Sequence, residues 1–156
     1  MNFLGKVHSI GIATVESGAI KALDEVTAIP GKGLVGDRYA AKFEADPSEY
    51  GPQKEITLIE LEAIEALNRE KEIIIQPLNA RRNVVTQGVP LNHLVGHEFQ
   101  VGKVKLKGIK LCNPCAHLES LTERGVLAGL IHRGGLRAQI INEGIIRVGD
   151  VVEPTE

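Results

Sequence analysis

The sequence predicts a mainly β, barrel-like domain with two or three peripheral helices. Three observations carry this. Apolar runs are short and most of the 17 glycines and 7 prolines punctuate them, the pattern of many strands joined by tight turns. Val104 and Leu106 alternate with Lys103, Lys105 and Lys107, so one strand face is buried and the other wet; at Gly108 the phase flips to Ile109 and Leu111. Such a slip at a glycine predicts a β-bulge, by which barrel strands turn a corner. Finally, Phe99-Gln100-Val101-Gly102-Lys103-Val104 and Ile146-Arg147-Val148-Gly149-Asp150-Val151 share the form apolar-x-Val-Gly-charged-Val and read as similar strand-turn units.

Taken in order, residues 7–12 read as a strand and residues 19–28 as its antiparallel return before Pro30. Residues 30–54 read as one long polar loop crowded with Gly31, Gly33, Gly36, Pro47, Gly51 and Pro52. A loop of that length in a compact domain is usually functional or mobile. Residues 60–71 are a helix, because Leu61, Ile64 and Leu67 recur at helical spacing. Residues 82–86 are a strand ended by Gly88 and Pro90, residues 116–124 one short helix, and residues 136–142 a further strand. No linker or low-complexity tract divides the chain, so residues 1–156 are read as a single domain.

Composition narrows the function. An apolar fraction of 43% with 24% charge is that of a water-exposed globular protein. A net charge of −2 gives no global basic field, and 3% aromatics provide few stacking platforms, which argues against nucleic acid as a partner. No segment has the length of a spanning helix, and the start lacks a signal-peptide pattern. A cytoplasmic location with reduced thiols is the expectation, since two cysteines so close together make no disulfide framework.

Those cysteines form Cys112-Asn113-Pro114-Cys115, between a predicted strand and a predicted helix. A helix start offers free amides and a positive dipole end, which favour a thiolate. A thiolate serves a soft metal, a persulfide or disulfide exchange. Four readings stand side by side at this point: small apolar packing, a redox pair, structural zinc, and a single working thiol. The late position of the pair weakens a thioredoxin-like site. Zinc needs four ligands, and His93, His97, His117 and His132 show no paired spacing that completes a set. A second constellation is cationic: Arg38 in the glycine-rich loop, Arg81-Arg82 before Asn83, and Arg133-Gly134-Gly135-Leu136-Arg137. Guanidinium forks beside bare glycine amides suit phosphate or carboxylate, with solvated surface charge as the plain alternative.

Gly36-Asp37-Arg38-Tyr39, Arg81-Arg82-Asn83-Val84-Val85-Thr86-Gln87-Gly88, Leu94-Val95-Gly96, Phe99-x-Val-Gly102 and Pro114-Cys115-x-x-Leu118 occur in the order found in the MOSC domain family. The tail Arg133–Ala138 and Val148-Gly149-Asp150 is similar as well, so the resemblance covers nearly the whole chain. It implies a closed β-barrel of the pyruvate-kinase barrel type and a link to molybdopterin, the molybdenum cofactor. It places the family's cysteine on Cys115, as a molybdenum ligand or a persulfide carrier, and matches Arg81 and Asn83 to the Arg-x-Asn motif near the cofactor. Some family members reduce N-hydroxylated bases, which here would make Cys115 and His117 the catalytic pair and Arg38, Arg81, Asn83 and Arg133 the cofactor-binding set. The implied partners are an electron-donor protein or an enzyme that gives or takes sulfur. Longer relatives carry a preceding β-barrel domain or an aminotransferase-like domain, and these 156 residues contain neither. Pyridoxal phosphate is not expected, because no lysine is placed to argue for a Schiff base.

Overall fold

The computed structural model describes residues 1–155. Its first strand, β1 (Gly5–Ile12), buries Val7, Ile10 and Ile12, and β2 (Lys21–Leu23) returns antiparallel along it. β3 (Glu25–Ile29) and β4 (Gly33–Leu34) belong to a separate small sheet, with β10 (Gly144–Arg147) on the other side of β3.

The barrel is built from β5 (Ile56–Glu60), β6 (Val84–Gln87), β7 (Glu98–Val101), β8 (Val104–Leu111), β9 (Leu136–Ile140) and β11 (Val151–Pro154), together with β1. The strands run in the order β11-β7-β8-β9-β5-β6-β1, and β1 pairs back onto β11 through Gly5↔Val152 and Lys6↔Val151. Seven strands therefore close on themselves, which removes the exposed edges of an open sheet. The core inside includes Ile10, Leu58, Phe99, Leu106 and Ile140.

β5 and β6 pair in parallel, and α2 (Leu61–Lys71) lies in the connection between them. This pair is buried on both faces. Leu58 and Val84 face the barrel core, while Ile59 and Val85 face a second cluster with Ile64 and Leu67 of α2. Adjacent residues such as Leu58-Ile59 and Val84-Val85 are therefore both apolar, where a strand with one wet face would alternate. The short helices α3 (Ala116–Ser120) and α4 (Val126–Gly129) dock on the same cluster through Leu118, Val126 and Leu130.

The predicted bulge is present: β8 slips register against β9 between Gly108 and Lys110. A Cβ at Gly108 would lie 2.1 Å from the Leu94 carbonyl oxygen, so glycine is required where the 94–96 segment crosses. The two strand-turn units also exist, turning at positive φ on Gly102 and Gly149, and they meet as the β7–β11 pair.

Three expectations change. Of residues 19–28, only Lys21–Leu23 returns along the first strand, since β3 pairs with β10 in the small sheet. Residues 30–54 are not one loop: they form β4, the eight-residue helix α1 (Arg38–Ala45) and two single 3-10 turns at Pro47–Glu49 and Pro52–Lys54. Asp37 caps α1 by accepting from the Tyr39 amide, and the helix buries only Phe43, too little to give a periodic signal. The helix expected over residues 116–124 stops at Ser120, and Gly125, at φ 99°, separates it from α4.

Candidate functional site

The cysteine turn follows β8 directly. The Cys112 amide still donates to Gly135 O at 2.7 Å, and Cys112 is 1% exposed. Cys115 is exposed and stands at the N-cap of α3, where its Sγ accepts from the Leu118 amide at 3.4 Å. That is the place a serine or aspartate oxygen commonly takes. The expected helix start is thus real, although α3 is only five residues long.

Arg82 holds this turn in place. It is 8% exposed, and its Nε donates to Gly134 O at 2.9 Å while Nη2 reaches Cys112 O at 3.3 Å and Asn113 O at 3.4 Å. Burial lowers its pKa from the ordinary arginine value and Arg137 adds to this, while the neighbouring Cys112, Cys115 and Tyr39 act the other way. Gly134 is equally constrained, since a Cβ there would lie 2.4 Å from Cys112 O.

Beside the turn lies a cleft in two parts. The outer cavity, of about 390 Å³, is lined by Arg38, Lys42, Lys54, Arg81 and His117, with Glu16 as its acid. The inner one, of about 40 Å³, is lined by Arg38, Arg81, Arg82 and Arg137, with Asp37 as its acid and Cys112 at its wall. Tyr39 lines both.

Each cation has a definite support. Arg38 opens α1, lies 3.9 Å from Asp37 and sits 4.5 Å over the Tyr39 ring. Asp37 is 2% exposed and accepts from the Ala13 amide at 3.1 Å as well as from Tyr39, so it fixes the loop after β1 and the start of α1 together. Arg81 caps a 3-10 turn (Pro77–Ala80) at φ 64°, a backbone state unusual for a residue with a Cβ. Its Nη1 donates to Gly18 O at 2.7 Å; burial, and then the charge of Arg38, lower its pKa. Arg137 follows buried Leu136 on β9 and points out of the core by strand alternation, reaching Gln53 O at 3.5 Å.

Behind the cleft, Glu55 ties residues 30–54 to the barrel. It is 1% exposed, accepts from the Gly31 and Ile140 amides, and takes the Tyr50 hydroxyl proton in a hydrogen bond. Burial holds its pKa above the usual carboxyl value, against the hydrogen bonds that pull it down. The Tyr50 phenol is pushed up to about 12, by burial and then by Glu55.

Of the residues singled out from sequence, Arg38, Arg81, Asn83 and His117 line the cleft; Cys115 lines neither cavity, but it stands in the chain between Cys112, at the inner wall, and His117, at the outer one. Asn83 is mainly a strand tie: its Oδ1 accepts from the Thr57 amide and hydroxyl, and its Nδ2 donates to Gly11 O. His117 Nε2 is 3.0 Å from Ser17 Oγ. Arg133 is elsewhere, donating to Gly129 O and paired with Glu70 of α2. The cleft takes Arg137 from that glycine-flanked pair of arginines instead, and strand alternation was the signal that could have found it. Tyr39, Lys42 and Lys54 are further lining residues without a role in the sequence reading. Arg82, read there only as an anion-binding candidate beside Arg81, lines the inner cavity while clasping the cysteine turn. Among the described residues no three His, Cys, Asp or Glu side chains gather as a metal site. Among the described residues no helix is long and apolar enough to cross a membrane.

A small closed barrel with a free thiol beside a cationic cleft is the class that fold and site define. The MOSC domain family model matches residues 45–153, and the chain belongs to that family. The match includes Arg81, Asn83, Cys115 and Arg137, while Arg38 and Tyr39 precede it. The fold is similar to that of the YuaD protein from Bacillus subtilis, with a TM-score of 0.77 at 17% identity, covering 100% of this chain and 99% of that one. It is similar also to YiiM from Geobacillus stearothermophilus (TM-score 0.74, 14% identity, 97% and 75% covered) and YiiM from Escherichia coli (0.67, 17%, 100% and 70%). No curated protein matches the chain.

Proposed function

We propose that this protein binds the molybdenum cofactor in the arginine-lined cleft, with Cys115 as the thiolate ligand, and reduces N-hydroxylated compounds with electrons from a separate donor protein. The observation that carries the reading is one juxtaposition: an exposed thiol beside a cleft where Arg81, Arg82 and Arg137 have no carboxylate partner among the described residues. The residues fit the group chemically. A pterin phosphate is an anion that guanidinium forks recognise, and molybdenum is a soft-ligand metal that takes a thiolate. When bound, the cofactor would supply two-electron chemistry.

The chain's own residues do the rest. Arg81 and Arg137 hold the anion, and Arg38, its charge shared with Asp37, lines the cleft beside them. Arg82 fixes the turn that presents Cys115, and Asn83 keeps β1 and β5 in register beneath them. His117 exchanges protons with solvent at the mouth. Arg133, assigned to the cofactor from sequence, has its charge met by Glu70 and is left out of the binding set. Protein from a cofactor-competent host should carry molybdenum and pterin, and Cys115→Ala should lower the molybdenum content at least about tenfold. Equal metal in the two proteins would refute the ligand assignment.

The exposure of Cys115 favours a second reading, a sulfur carrier whose persulfide passes to a molybdoenzyme. It requires one extra sulfur on Cys115 in the intact mass measured without reductant, and a sulfur-free thiol from sulfur-loaded cells would rule it out.

A further inference from the structure

We infer that Tyr39 gives the proton that carries the substrate oxygen away as water; this deepens the reductase reading above and rests on it. The step balances as follows. The N–O bond of an N-hydroxylated substrate breaks, and two electrons enter from an external flavin or iron–sulfur donor protein. The departing hydroxyl takes the Tyr39 proton and leaves as water, the nitrogen takes a second proton from solvent, and Tyr39 is reprotonated through the outer cavity.

Tyr39 is selected by what surrounds it. Guanidinium groups line the inner cavity, and they cannot release a proton at ordinary pH. Asp37 is spent on the Ala13 and Tyr39 amides and on Arg38. The Thr57 hydroxyl donates to Asn83, and Cys112 is buried in the wall. His117 lines only the outer cavity, and its Nε2 is engaged with Ser17. The Tyr39 hydroxyl has no hydrogen-bond partner among the described residues, and Tyr39 lines both cavities.

Its ring is also fixed. Arg38 covers it at 4.5 Å, Phe43 stacks at 6.1 Å, and Phe43 meets Tyr50 edge-on at 5.4 Å. Tyr50 in turn donates to the buried Glu55. Two of the other four aromatic side chains in the sequence, Phe43 and Tyr50, thus hold this phenol at the cleft. Arg38 and the nearby Arg82 offset the charge of the phenolate left after transfer.

The test compares wild type with Tyr39→Phe and Tyr39→His, all produced in a cofactor-competent host, using acetohydroxamic acid as the probe. Tyr39→Phe should keep wild-type molybdenum and pterin, slow turnover about 100-fold, and lose the alkaline limb of the pH–rate profile. Tyr39→His should recover part of the rate and move that limb toward neutral pH, because imidazole titrates below phenol. Adding the probe should perturb the near-ultraviolet tyrosine absorption of wild type and leave that of Tyr39→Phe unchanged. A metal-loaded Tyr39→Phe with wild-type turnover and pH profile overturns the proposal alone. Wild type devoid of molybdenum and pterin overturns the cofactor reading and this step with it. If Tyr39→Phe does not fold, the limb in Tyr39→His decides: an unmoved limb overturns the proposal.

Discussion

Arg133 and Arg82 both donate to backbone carbonyls, yet they belong to opposite kinds of region. On the flank made by α2 and α4, Arg133 meets the Glu70 carboxylate, so its charge is balanced where it stands. In the cleft, Arg81, Arg82 and Arg137 meet carbonyl oxygens; of the two lining acids, Asp37 is already bound to two amides and Arg38, and Glu16 pairs with none of these arginines among the described residues. A carbonyl satisfies hydrogen bonds but leaves the positive charge uncancelled. Arginine therefore serves structure where a carboxylate answers it and presents an anion site where only carbonyls do.

The largest effect should come from Arg82→Met. It strips three carbonyls of their donor in a buried place, and urea unfolding should show a loss of about 3 kcal/mol. A loss below about 1 kcal/mol would mean that Arg82 does not organise the cysteine turn.

Next, Arg81→Ala should weaken binding of inorganic pyrophosphate about tenfold by calorimetry at fixed salt, the worth of one charge-assisted contact. Arg133→Ala should leave that affinity unchanged. Equal losses in the two variants would erase the distinction between the regions.

The smallest effect concerns Glu55. Its folded pKa is raised, so the folded state holds the proton more tightly than the unfolded chain. This contribution is greatest below the ordinary carboxyl range, falls as pH rises through the folded value, and is flat above it. Glu55→Gln should remove that fall in a series of urea titrations across acid to neutral pH; an unchanged slope would assign it to another group.

Much of the barrel was legible because it rests on alternation: the lysine-flanked residues of β8 and the slip at Gly108 are properties of sequence order alone. The helix α1 was not, since its one buried side chain, Phe43, gives no period, although Asp37 is a cap residue in the right place. For the cleft, the motifs located Cys115, Arg38 and Arg81, but composition cannot say which arginine finds a carboxylate. Arg133 and Arg137 flank the same glycines, and only β9 alternation and the position of Glu70 separate them. The buried Glu55 was unreadable for the same reason, as its amide partners lie 24 and 85 residues away.

The seam where β1 meets β11 has a consequence for how the molecule is made. The pairing joins the first strand to the last, so during synthesis the cysteine turn, its arginine clasp and the cleft all emerge before the ring can shut. Contacts that span nearly the whole chain close slowly. Until β11 arrives, β1 and β7 each keep a ladder edge open, and that interval is when this protein is most exposed to pairing with its neighbours.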